Sequence, residues 1–181
     1  GTVSTPNKQG FDYFYGYNCQ RQAHNLYPRH LWENEQKIWL KNEIIPPGKM
    51  LDSLADPNDS KSYSVFEQNQ YAPSLMHEKA LNFIEKNKEN QFFLYYATPL
   101  PHLPLQIPKK YQSKYREIIG TELPYKGGKG YFPNQYPKAT YAAMISYLDQ
   151  QVGEVVQELK RLGLYENTLI IFSSDNGPTY N

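Results

Sequence analysis

Between Tyr141 and Leu162 apolar residues recur in alternating steps of four and three: Tyr141, Ile145, Leu148, Val152, Val155, Leu159 and Leu162. Asp149, Glu154, Glu158, Lys160 and Arg161 occupy the other positions, so the spacing predicts an amphipathic helix over 138–162, about six turns long. A coiled coil shares this period. Here, however, the run stops at Gly163 and leads directly into TLIIFSS at 168–174, a continuous apolar stretch of strand length. QFFLYYAT at 91–98 has the same character. Two apolar strands separated by an amphipathic helix predict a crossover unit, with both strands parallel in one sheet. The fold class expected is therefore α/β, a mainly parallel sheet covered by helices.

The remaining segments read more loosely. Met76, Ala80, Phe83 and Ile84 follow Pro73 and Ser74 at helical spacing, which predicts a helix over 74–88. Four prolines within PLPHLPLQIP at 99–108 forbid regular structure, and 108–118 has the makings of a short helix. Before residue 73 the chain reads as irregular, with a short strand expected within 10–17 and a strand or hairpin segment within 34–45. GGKG at 127–130 is read as a flexible loop. With 181 residues the chain suits one domain or a part of one. Seventeen Tyr, eight Phe and two Trp supply bulky, amphipathic packing surface, which argues against disorder. The formal net charge of +1 gives no basic excess for nucleic acid, and no apolar run approaches the roughly 20 residues of a membrane span. The first ten residues do not resemble a signal peptide.

Ligands of open α/β sheets gather beyond the carboxyl ends of the strands. Both expected strands end in candidates: His102 within PLPHLP, and Asp175 with Asn176 within SSDNGP. Aspartate offers an anionic oxygen and asparagine a neutral one, a pairing suited to Ca²⁺ or Mg²⁺; DNG equally suits a turn. His102, held among prolines, suits a general acid, although a loop histidine is as readily plain surface. His24 and His30 lie six apart and do not match a helical zinc motif. His77 and His30 read as structural or solvent-facing. GGKG lacks the Ser or Thr of a phosphate-binding loop. Cys19, the single cysteine, reads as a buried thiol. Asn58 opens an Asn-Asp-Ser sequon.

Taken jointly, these residues resemble the formylglycine-dependent sulfatase family, of alkaline-phosphatase-like fold. The strongest match is YAAMISYLDQQVGEVVQELKRLGLYENTLIIFSSDNG at 141–177, which is similar to the family's long helix and metal-bearing strand. FFLYYATPLPHLPLQIP at 92–108 resembles the strand and loop of the substrate-side histidine. QGFDYFYGYNCQRQAHNLYPRHLWEN at 9–34 resembles the segment after the family's first catalytic lysine and histidine.

The resemblance implies part of an αβα sandwich, with residues 1–181 an internal portion of a single catalytic domain whose nucleophile region and C-terminal part are absent. It implies a sulfuric ester hydrolase in the parent protein, with Asp175 and Asn176 as ligands of Ca²⁺, or alternatively Mg²⁺. His102 would face the bridging ester oxygen and His24 would lie on the substrate side. A formylglycine nucleophile is implied for the parent only, since no Cys/Ser-x-Pro-x-Arg motif occurs in these residues; the fragment alone is expected to be inactive. The implied substrate is a sulfated carbohydrate, with Trp32 and Trp39 available for stacking on sugars, and the implied location is secreted or periplasmic. A phosphatase or phosphodiesterase of the same superfamily, and a noncatalytic carbohydrate-binding module, stay open as alternatives.

Overall fold

A computed structural model describes residues 3–177. In chain order the elements are strand β1 (Tyr15–Gly16), the short helix α1 (Gln20–Ala23), strands β2 (His30–Glu33) and β3 (Gln36–Trp39), then helices α2 (Ala72–Lys86), α3 (Lys109–Ile119) and α4 (Pro137–Arg161). Short 3₁₀ helices cover Pro6–Gln9, Ser60–Phe66 and Tyr165–Asn167.

The helices follow from their sequences. α2 and α4 each carry a proline in the first turn, where its missing N–H costs nothing. Lys160 and Arg161 sit in the last turn of α4, where cations complement the carbonyl end. Gly163, at φ +72°, then takes the left-handed conformation that stops the helix. Helix α4 packs against α3 and α2. The residues it buries are Ala139, Thr140, Ala143, Met144, Tyr147, Gln151 and Leu159, a face centred roughly a quarter turn away from the apolar stripe that the spacing singles out. Along that stripe only Leu159 is fully buried, and Ile145 is exposed. Short side chains on the buried face explain the difference: Ala139 and Ala143 admit neighbouring helices closely, which bulkier residues would prevent.

The main core joins Leu26, Tyr27, Tyr71, Leu100, Leu105, Ile107, Ala143, Met144 and Tyr147. It thus ties the loop before β2 and the proline-rich segment onto α4. Among the described residues the only sheet is antiparallel, in the order β1-β2-β3, with β2 and β3 forming a hairpin. Asn34, at φ +53°, makes the turn, and its side-chain oxygen accepts from Phe14 N at 2.9 Å and Asn7 Nδ2 at 3.1 Å.

The expected parallel pairing of 91–98 with 168–174 does not form here. Neither segment belongs to a sheet among the described residues. Residues 91–98 alternate exposed with half-buried side chains, the period of a pleated segment with one face covered. Phe92 meets Phe83 of α2 edge-on at 5.7 Å, while Phe93 stays 75% exposed. Leu169, Ile171 and Phe172 are likewise exposed. A strand satisfies its backbone only through a neighbouring strand, and no described strand pairs with either run. The arrangement of helices with a small sheet is consistent with part of an alkaline-phosphatase-like α/β fold.

Candidate functional site

His102 lies at the exposed bend of the proline-rich loop. Its backbone N donates to Pro99 O at 2.9 Å, and its Nδ1–H donates to Leu103 O at 2.6 Å. That second bond assigns the proton of the neutral ring to Nδ1 and leaves Nε2 for a ligand. Four residues on, Gln106 is buried and anchors the loop: its Oε1 accepts from Leu26 N at 2.8 Å, and its Nε2 donates to Phe66 O at 2.6 Å. The Tyr71 hydroxyl also donates to Gln106 O at 2.8 Å. The base of the loop is thereby rigid while its tip presents an imidazole.

Two further rings meet this one. His24, the residue that ends α1, stacks on His102 with ring centroids 5.8 Å apart and planes 13° from parallel. Tyr131 lies 5.1 Å from His24 and 6.1 Å from His102. Tyr131 is carried by a small hairpin: Tyr125 and Asn134 exchange two backbone bonds of 2.8 Å, and Gly128 pairs with Tyr131. Lys129 at φ +51° and Gly130 at φ +86° make its turn, the two positive φ values that a two-residue turn of this hand requires. Asn134 Nδ2 donates to Leu105 O at 2.8 Å and fixes the hairpin to the histidine loop. GGKG is thus the turn of an ordered hairpin rather than a flexible loop, and Tyr131 is a site residue that no local motif announces.

Partial burial is the main cause that holds the His24 imidazole below its usual 6.5, and the neighbouring His102 charge adds to it. Both causes favour the neutral form of His24. We expect His24 to titrate below 6.5 in a histidine NMR titration, and His102→Gln to bring its midpoint back toward 6.5 by removing a like charge. An unmoved midpoint in the variant would show that burial alone sets it.

Asp175 and Asn176 lie on the exposed stretch beyond Thr168. Asn176 Nδ2 donates to Gly177 O at 2.8 Å, and its side-chain oxygen accepts no hydrogen bond among the described residues. Among the described residues no hydrogen bond, ion pair or ring contact joins this pair to the imidazoles, and no group of three or more His, Cys, Asp and Glu is placed to hold a metal. Of the other histidines, His77 is structural: it is buried, its Nε2 bonds Glu154 at 2.7 Å, and its ring stacks near Tyr96. Cys19 is exposed rather than buried, because it precedes α1 at the surface instead of packing beneath it. Asn58 is exposed in a turn.

A family profile described as Sulfatase matches residues 2–181. Arylsulfatase J of Mus musculus is 29% identical over 183 residues, covering 95% of this chain and 24% of that protein. The N-acetylgalactosamine-6-O-sulfatase of Bacteroides thetaiotaomicron is 35% identical over 104 residues, covering 58% of this chain and 16% of that protein. The chain thus spans about a quarter or less of the length of these relatives. A crystal structure of Ps i-CgsB in complex with k-i-k-neocarrahexaose superposes with a TM-score of 0.57 at 23% identity, over 92% of this chain and 32% of that one.

Proposed function

The chain belongs to the sulfatase family, and from that premise we propose that it is part of a sulfuric ester hydrolase acting on sulfated carbohydrates. The observation that carries this reading is the presented imidazole of His102. Its Nδ1 is occupied by Leu103 O, its Nε2 has no hydrogen-bond partner among the described residues, and a second imidazole and a phenol flank it. In its protonated form, with Nδ1–H kept on Leu103 O, such a ring carries a second proton on Nε2 and would give it to the oxygen that departs when a sulfate ester breaks, a proton that the leaving alcohol of a sugar requires. The His24 imidazole and the Tyr131 phenol stand beside it and suit the substrate's uncharged sugar. The names of the relatives support the substrate class, since several act on sulfated amino sugars.

The oxygens of Asp175 and Asn176 fit a hard cation as part of its shell. Ca²⁺ takes roughly six to eight oxygens, so these two residues do not complete it. A cation there would neutralise charge on the sulfate oxygens. In the complete protein, Asp175→Ala should raise the Ca²⁺ concentration needed for half-maximal activity, with partial rescue at high Ca²⁺. An unchanged Ca²⁺ dependence would remove Asp175 from the metal site. The 181 residues alone contain no Cys/Ser-x-Pro-x-Arg motif, so by themselves they are proposed to bind substrate without turning it over. An exported location accords with this reading, and no helix among the described residues is long and apolar enough to cross a membrane.

A further inference from the structure

The β2–β3 hairpin has two faces of opposite character. Leu31 is completely buried on one side, in a cluster with Leu40 and Ala72. The cross-strand pairs His30↔Trp39 and Trp32↔Lys37 alternate with it, so these four side chains share the other face. His30 lies 5.9 Å from Trp32 and 5.3 Å from Trp39, measured between ring centroids. Lys37 Nζ sits 5.4 Å from the centre of one indole and 5.8 Å from the other. Trp39 is 63% exposed.

The charges around this face are arranged one way. Glu33 is engaged by Lys79 and the Tyr13 hydroxyl, and Glu35 by Lys8. The Arg29 guanidinium is occupied by Leu40 O and Asn42 O. Lys37 makes no ion pair among the described residues, and it lies exposed between two indoles. His30 is kept below its ordinary value, by burial first and the Lys37 charge second, so near neutral pH Lys37 is the cation of the face. No ring contact or hydrogen bond joins the four residues to His24, His102 or Tyr131.

We propose that the outer face of the β2–β3 hairpin is a binding site for a sulfated glycan, with Trp32 and Trp39 taking the apolar faces of sugar rings and Lys37 taking a sulfate. Indole faces suit the C–H side of a pyranose. A free ammonium held between them adds the charge that distinguishes a sulfated sugar from a neutral one. The inference does not depend on hydrolysis, because it concerns binding and is read without turnover.

The chain contains two tryptophans, and both lie on this face, so intrinsic fluorescence reports the site directly. The full chain is titrated with a sulfated galactose hexasaccharide, with the same oligosaccharide after chemical desulfation, and with polyglutamate. The expected result is a saturable fluorescence change with the sulfated sugar alone, weakened by added salt. Trp39→Ala should weaken binding by roughly tenfold or more. Lys37→Glu, which retains both fluorophores and replaces an exposed side chain, should abolish the preference for the sulfated form. An equal response to polyglutamate would make the face a general anion patch. A response to the desulfated sugar that matches the sulfated one, no response at all, or an unchanged affinity in Lys37→Glu would each overturn the proposal.

Discussion

Replacing His102 with alanine in the complete protein should lower kcat on an alkyl sugar sulfate by roughly 10²- to 10⁴-fold, the usual scale for loss of a general acid. The loss should shrink on a nitrophenyl sulfate. A phenolate departs without being protonated in advance, whereas a sugar alkoxide is far too basic to leave unaided. As an imidazolium, His102 keeps its Nδ1–H on Leu103 O, so the proton it gives up is the one on Nε2. His24 does not compete for the role, since burial and the neighbouring charge keep it neutral. His102→Gln retains a donor but cannot cycle a proton, so it should be as slow as alanine on the alkyl substrate. Steady-state kinetics on the two substrates decide the matter: equal losses on both would mean that His102 positions the substrate rather than protonating the leaving group. A loss confined to KM would assign it to uniform binding.

How far the site can be read from sequence differs from residue to residue. His102 stands out because four prolines bracket it and fix its loop whatever surrounds it. The partnership with His24 spans 78 positions and depends on how α1 docks against that loop; no periodicity encodes such a contact. Tyr131 reaches the pair through a hairpin whose turn is formed by Lys129 and Gly130, and a lysine at positive φ is not a residue that announces such a turn. The three longer helices α2, α3 and α4 were legible to within a residue or two, since their spacing and their terminal prolines and glycine act locally, whereas the four-residue α1 was not. Which face of α4 is buried was not. That choice depends on where Ala139 and Ala143 let α3 and α2 approach, a property of neighbours rather than of the helix. The two apolar runs at 91–98 and 168–174 look like strands because their composition is that of strands, but a ladder is a property of two segments. The hairpin at His30–Trp39 begins four residues before the stretch its composition suggests, because Asn34 turns the chain using bonds from Phe14 and Asn7.

Gln106→Leu should destabilise the fold by about 2–4 kcal/mol, one of the largest effects available to a single substitution that preserves volume. The glutamine is 4% exposed, and its amide answers two buried backbone groups that have no water to turn to, Leu26 N and Phe66 O. Leaving each unpaired costs about 1–3 kcal/mol. Burying the leucine side chain offsets part of this, about 1.5 kcal/mol or more. The bond from the Tyr71 hydroxyl to Gln106 O involves the backbone and survives the substitution. Urea unfolding should show a lower midpoint with an unchanged slope; an unfolding free energy within about 0.5 kcal/mol of the parent would mean that the two backbone groups find other partners. Gln106→Glu separates lost hydrogen bonding from lost packing. As a neutral acid the glutamate can still accept from Leu26 N and donate to Phe66 O, whereas the ionised form cannot donate and carries its charge into a buried site. Burial raises its folded pKa above the unfolded value, so its stability should approach that of glutamine at acid pH and be lost as pH rises through the raised pKa. Gln106→Leu should show no such recovery. Because Gln106 lies four residues beyond His102, both variants should also loosen the loop tip, seen as increased hydrogen exchange at the His102 amide that donates to Pro99 O.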